Sequence, residues 1–208
     1  MKKFILLSFM LPLTIAVSTV NSYAVDMMAG GTIGLMEVDY LKNEKGEKLL
    51  ESFDCVAVTA LFDVEYARFG VGISRNYSPM HKKNRETGDR SNAGGYTYMN
   101  GILNAVGKYP FSFMDGSFKL WPCMGFEYLH TIRYTKDGEN LKDDNNCLSD
   151  LYVTGGIGAD YFFTKSIAVT LLIDAGYNLT PSPSSNSPSG SSYMGYALSI
   201  NVGIMMRL

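Results

Sequence analysis

Beyond its first two dozen residues the chain has no run of 18 apolar residues, which excludes a helical membrane protein. Histidines number only two, His81 and His130, and no cluster of side chains has metal-ligand spacing. No glycine-rich phosphate loop is present. No metal, nucleotide or other cofactor is therefore expected. Positive charge is not in excess either: 18 Lys and Arg stand against 20 Asp and Glu, and setting aside Lys2 and Lys3 takes the formal charge from −2 to −4. That leaves no electrostatic case for a nucleic-acid partner. The cysteines are three, Cys55, Cys123 and Cys147, an odd number that cannot pair completely.

What is present begins with an export leader. Lys2 and Lys3 precede FILLSFMLPLTIAV, and the small residues Ser22 and Ala24 predict cleavage before Val25. The apolar run carries Ser8 and Pro12 and is short for a membrane anchor; no Leu-x-x-Cys lipidation site marks the junction. The expected organisation is a signal peptide over residues 1–24 and one domain over residues 25–208. The sequence holds 21 Gly, 14 Tyr and 11 Phe, a composition that favours an all-β chain with aromatic interfaces.

The stretch Tyr193–Leu208 sets the pattern. Leu208, Met206, Ile204, Val202, Ile200, Leu198, Tyr196 and Met194 are all apolar, while the residues between them are small or polar apart from Met205. Period two means a strand with one apolar face, and its length suits a tilted bilayer crossing of about 9–11 residues. Seven further segments alternate in the same way. A weaker one covers Met27–Tyr40, where Glu37 breaks the pattern, through a bulge or by reaching the rim. The others run over Phe53–Phe62, Tyr66–Tyr77, Gly95–Lys108, Ser117–Tyr134, Leu151–Tyr161 and Ile167–Leu179. Pro122 removes a ladder donor and predicts an irregularity within the fifth.

The connections alternate too. Leu41–Ser52, Ser78–Gly94, Thr135–Asp150 and Pro181–Ser192 read as long polar loops; Asp63–Glu65, Lys108–Phe111 and Phe163–Lys165 read as tight turns. Eight strands with short connections at one end and long ones at the other predict an eight-stranded antiparallel up-and-down transmembrane β-barrel. The final strand resembles the closing strand of outer-membrane β-barrels, whose terminal residue is usually aromatic and part of an assembly signal; here it is Leu208. The whole domain is similar to small outer-membrane barrels of the OmpA-barrel, OmpX and OmpW kind. Gly107–Phe111, Leu120-Trp121-Pro122 and Gly125–Tyr128 also resemble small spirochaete barrels. The resemblance implies an outer-membrane location, lipid as surroundings, the barrel-assembly machinery as partner of the last strand, and a monomer.

The inward-facing positions carry Arg68, Lys119, Glu127, Asp160, Asp174, Asn201 and Arg207, expected to form a paired polar network filling a narrow lumen. Lys119 and Asp160 are expected to pair across the fifth and sixth strands. The loop bearing His81, Lys82, Lys83, Arg85 and Arg90 is basic, suiting either plain solvation or a polyanion such as lipopolysaccharide or a host glycan. Cys55 and Cys147 fall near the outer strand ends, where a disulfide between them is open; Cys123 reads as an interior filler. His130 reads as a rim or interior hydrogen-bonding residue. The resemblance to lipid-modifying barrel enzymes fails at His130-Thr131, where the deacylases have His-x-Ser, and no enzyme is expected. A structural or adhesive role through the outer loops is the reading favoured. A narrow channel of the OmpW kind is the alternative. A soluble carrier barrel would leave Arg68, Asp160 and Asn201 on the outside and has no use for four long loops at one end.

Overall fold

The computed structural model describes residues 26–44, 47–78, 81–92, 95–140, 149–180 and 193–208. Eight long strands alternate in hydropathy and pair antiparallel with their sequence neighbours: β1 (Met27–Glu44), β2 (Glu47–Val64), β3 (Ala67–Asn76), β4 (Tyr96–Lys108), β5 (Phe118–Lys136), β6 (Ser149–Phe162), β7 (Ile167–Asn178) and β8 (Tyr193–Arg207). β1 also pairs with β8, from Met28↔Arg207 to Lys42↔Tyr193, so the eight-stranded wall closes on itself. The chain forms the eight-stranded barrel that its alternation predicts.

The closed sheet wears its apolar side outward. Ile33, Leu35, Val58, Val71, Leu103, Phe126, Ile157, Ile173, Ile200, Val202 and Ile204 are all exposed. In β7, 12 residues tilted about 40° climb about 30 Å, matching an apolar band about 25 Å tall. Glu37 causes no bulge: β1 pairs in unbroken register and its carboxylate points outward at the end of the apolar belt.

Three short connections lie at one end, the turn end. That at β2–β3 is Glu65 and Tyr66, two residues beyond the expected Asp63; Asp63 stays in the strand and faces the lumen. Between β4 and β5, Phe111–Phe113 folds back on Phe118–Leu120 through a 3-10 turn at Met114–Gly116, with Gly116 at positive φ. Between β6 and β7 the Thr164 hydroxyl accepts the amides of Ser166 and Ile167. Tyr66, Tyr109, Phe111, Phe113, Phe118, Tyr161 and Phe163 ring this end in contacting pairs, among them Tyr109–Phe111 at 5.1 Å and Tyr161–Phe163 at 5.2 Å. Such aromatic girdles mark membrane–water boundaries.

Pro122 brings no bulge. Its carbonyl accepts from Tyr109 N, so its missing N–H faces the same side, where Pro110 already interrupts the ladder. The register shift lies instead between Met99 and Asn100, opposite Ile132. At the loop end the strands outrun the sequence reading. Leu41–Ser52 is not a loop but the continuation of β1 and β2, paired as far as Glu44↔Glu47. Within Ser78–Gly94, His81–Asn84 pairs with both Arg90–Asn92 and Leu49–Ser52. Pro181–Ser192 and Cys147 lie outside the described residues, as does the expected leader over residues 1–24.

Candidate functional site

The lumen is filled by side chains in layers. Nearest the loop end, Met36, Val38, Phe53, Cys55, Ala57, Ile102, Leu129, Tyr152 and Ala197 form one apolar cluster. Phe53 stacks on Tyr98 at 5.1 Å and Tyr98 on Tyr134 at 4.6 Å, crossing from β2 through β4 to β5. Near the turn end a second cluster gathers Met28, Leu61, Phe162, Ala168 and Met205.

Beside that second cluster lies a compact ionic centre. Arg68 of β3 donates from Nε to Asp63 Oδ2 at 2.6 Å, from one terminal nitrogen to Thr170 Oγ1 at 3.1 Å and from the other to Asp160 Oδ1 at 3.3 Å. Lys108 Nζ lies 2.7–2.8 Å from both Asp63 oxygens. Trp121 Nε1 donates to Asp160 Oδ2 at 2.9 Å, and its ring sits 4.4 Å from the Arg68 guanidinium and 5.0 Å from Lys108 Nζ. The indole lies flat against Gly158, where any Cβ would collide with the ring. Two cations and two carboxylates are thus mutually neutralised and hydrogen-bonded, the condition under which buried charge is tolerated.

Above the centre a chamber of about 30 Å³, bordered by Arg68, Glu127, Asp174 and Asn201 among others, has room for about one water. Asn104 hydrogen-bonds Glu127, and Ser199, itself held by Asn201, donates to Asp174 at 2.8 Å. Below it, at the mouth of the turn end, Asp26 binds Lys119 at 2.7 Å and Arg207 at 2.6 Å. Partial burial pushes the Asp26 carboxyl upward, but the hydrogen bonds and charges of Arg207 and Lys119 outweigh it and hold the group below its usual range.

The seven inward residues therefore divide among three places. Arg68 and Asp160 meet in the ionic centre; Glu127, Asp174 and Asn201 border the chamber; Lys119 and Arg207 stand at the mouth. The expected Lys119–Asp160 pair does not form. Their backbones are register partners, but Asp160 turns toward Arg68 and Trp121 while Lys119 turns to Asp26. Asp63, Lys108, Trp121 and Asp26 are the members that sequence reasoning missed. Extending the β2 alternation one step past Leu61 reaches Asp63, and extending the β4 alternation from Ile102 reaches Lys108. No sequence signal marks Asp26 or the Trp121–Gly158 fit.

On the outside, the basic loop is a hairpin standing on the β1–β2 extension. Asn84 Oδ1 accepts the amides of Glu86 and Thr87, Gly88 takes positive φ, and Lys83 faces Arg90 across the ladder. Lys82 pairs with Glu51 at 3.2 Å; Arg85 and Arg90 are exposed, and His81 and Lys83 are partly so. His130 faces outward near the loop end, its Nδ1 2.7 Å from Ser149 Oγ, whereas Glu127 and Thr131 face the lumen. The barrel wall therefore separates the His130 imidazole from both of those side chains. Cys55 is a free, buried thiol, and Cys123, also free, is half-buried at the chamber wall.

No protein-family model matches the chain, and no curated protein matches it in sequence. Solved structures do match. The outer membrane protein OprG from Pseudomonas aeruginosa superposes with a TM-score of 0.51 at 10% identity, over 89% of this chain and 96% of that one. Neisserial surface protein A gives 0.47 at 11% identity, over 86% and 99%. Ail, the attachment invasion locus protein of Yersinia pestis, gives 0.38 at 9% identity, over 87% and 98%. At these identities the likeness speaks to the fold, and not to the narrower resemblance to spirochaete barrels. Closed strand order, outward apolar belt, aromatic girdle and the OprG superposition agree: the chain has the fold of the small eight-stranded outer-membrane β-barrels.

Proposed function

We propose that the protein is a closed-lumen barrel acting at the cell surface through the strand hairpins that stand above its loop end, which in such barrels faces outward. The observation that carries this reading is the filled lumen. With Trp121, Arg68 and Tyr152 fully buried across the bore, the interior is a packed core and the outer hairpins are the accessible surface. Of these, the His81–Asn92 hairpin is the basic one. Lys83, Arg85 and Arg90 project from a framed turn, and their partner is a polyanion at the cell surface. Arg85 and Arg90 are exposed to water, so binding there is salt-sensitive.

The test is retention of the refolded protein on immobilised heparin at about 0.15 M salt, near physiological strength. Replacing Lys83, Arg85 and Arg90 together by Gln is expected to abolish retention while leaving folding intact. Retention unchanged by the triple substitution would remove the hairpin from the function.

A further inference from the structure

On the outer wall of β3–β5 the apolar belt ends at a defined height. Phe69, Val71 and Ile73 climb β3 and are followed by Arg75; Phe126 and Tyr128 climb β5 and are followed by His130, Ile132 and Arg133. Strict alternation would send Arg133 into the lumen, because Leu129 and Thr131 are both buried there. The bulge prevents this. Asn100 faces Thr131 but Met99 faces Arg133, so Ile132 is the extra residue and Arg133 returns to the outside. Tyr134, next along, enters the lumen and stacks on Tyr98. Re-aiming a side chain is a recognised use of bulges.

The result is a row. Arg75 pairs with Met99 and Met99 with Arg133, so the two arginines flank one strand about 10 Å apart, at about 4.8 Å per strand spacing. Among the described residues neither guanidinium has an ion pair or hydrogen bond. Asp54, the acid on the adjoining strand, accepts instead from the Ser78 hydroxyl at 3.1 Å. Beyond Arg75 and Met99 the β3–β4 ladder ends, and a groove of about 530 Å³ opens, lined by Val56, Arg75, Asn76, Tyr77, Ser78 and Thr97 with Gly95. The same rim on β1 and β2 carries Glu37, Asp39 and Asp54, so an anion is steered to the β3–β5 side.

Two unpaired guanidinia directly above lipid-facing Ile73, Leu103 and Tyr128 stand where hydrocarbon gives way to headgroups. A guanidinium fork matches phosphate oxygens, and an acyl chain below would lie on the apolar wall. We infer that Arg75 and Arg133, with the adjoining groove, hold the phosphate of a lipid headgroup in the outer leaflet. This site lies on the side of the barrel and is separate from the hairpin surface proposed above.

The test is native mass spectrometry of the refolded protein in detergent micelles, titrated with phosphatidic acid or phosphatidylcholine. The wild type is expected to retain phosphatidic acid at least about tenfold better, a difference of about 1.4 kcal/mol. Arg75→Gln with Arg133→Gln should erase that preference, while Arg85→Gln with Arg90→Gln should keep it. Soluble glycerol phosphate should not displace the lipid, since it has no chain for the apolar wall. Heat-modifiable migration on gels checks that each variant is folded. A folded Arg75/Arg133 variant that keeps the preference overturns the proposal. So does its loss in the Arg85/Arg90 variant, or displacement by glycerol phosphate.

Discussion

Asp63 shows how much one lumenal residue can decide. Its carboxylate accepts both Arg68 and Lys108, and replacing it by Leu would leave two buried cations sharing Asp160 alone. Removing one partner of a buried ionic group costs about 3–5 kcal/mol. Lys119, at the partly wetted mouth, should lose no more than about 1 kcal/mol on change to Met. Urea titration of both variants in vesicles checks the contrast, and equal losses would mean that the ionic centre is solvated. The identity of the lumenal residues was legible where alternation was clean, as at Arg68 and Asp160. Their partners were not. Lys119 and Asp160 are register neighbours, yet side-chain length and the Trp121 indole aim them at different groups. Period two gives the face of the wall and says nothing about who is met across the lumen.

At the scale of the strand, register is decisive, because a slip of one residue exchanges lipid face for lumen. In β8, Val202 points outward and Asn201 into the chamber. Val202→Arg should impair folding into bilayers by about 2–4 kcal/mol, whereas Asn201→Ser, which keeps a small polar group inside, should cost far less. Similar losses from both would shift the register by one. All eight strands could be located from the sequence, and the turn ends were misjudged by only about two residues, within the ordinary uncertainty of boundaries. Two features were out of reach. The β1–β2 extension mixes Lys, Glu, Asn and Leu in its sequence with no apolar residue at every second position, so no periodicity announces it. The bulge at Ile132 is set by pairing with Met99 and Asn100, which a single strand's sequence does not contain.

For the molecule as a whole, the stacked aromatics near the loop end, the chamber of about 30 Å³ and the ionic centre lie in series along one bore. A solute would have to displace Arg68 and Trp121 to cross. The refolded protein is expected to give a quiet trace in planar bilayers, and steady single-channel steps would return the narrow-channel reading to first place. The seam where β1 meets β8 carries a different consequence. Leu208 N donates to Met27 O, joining residues at opposite ends of the barrel's sequence. No order of addition can complete the wall before β8 arrives, and closing the longest loop is the entropically slowest kind of contact. Until then the partly assembled sheet has two raw margins, either of which can zip to a neighbouring chain. Speed of ring closure, more than final stability, should therefore set the yield of correctly inserted protein.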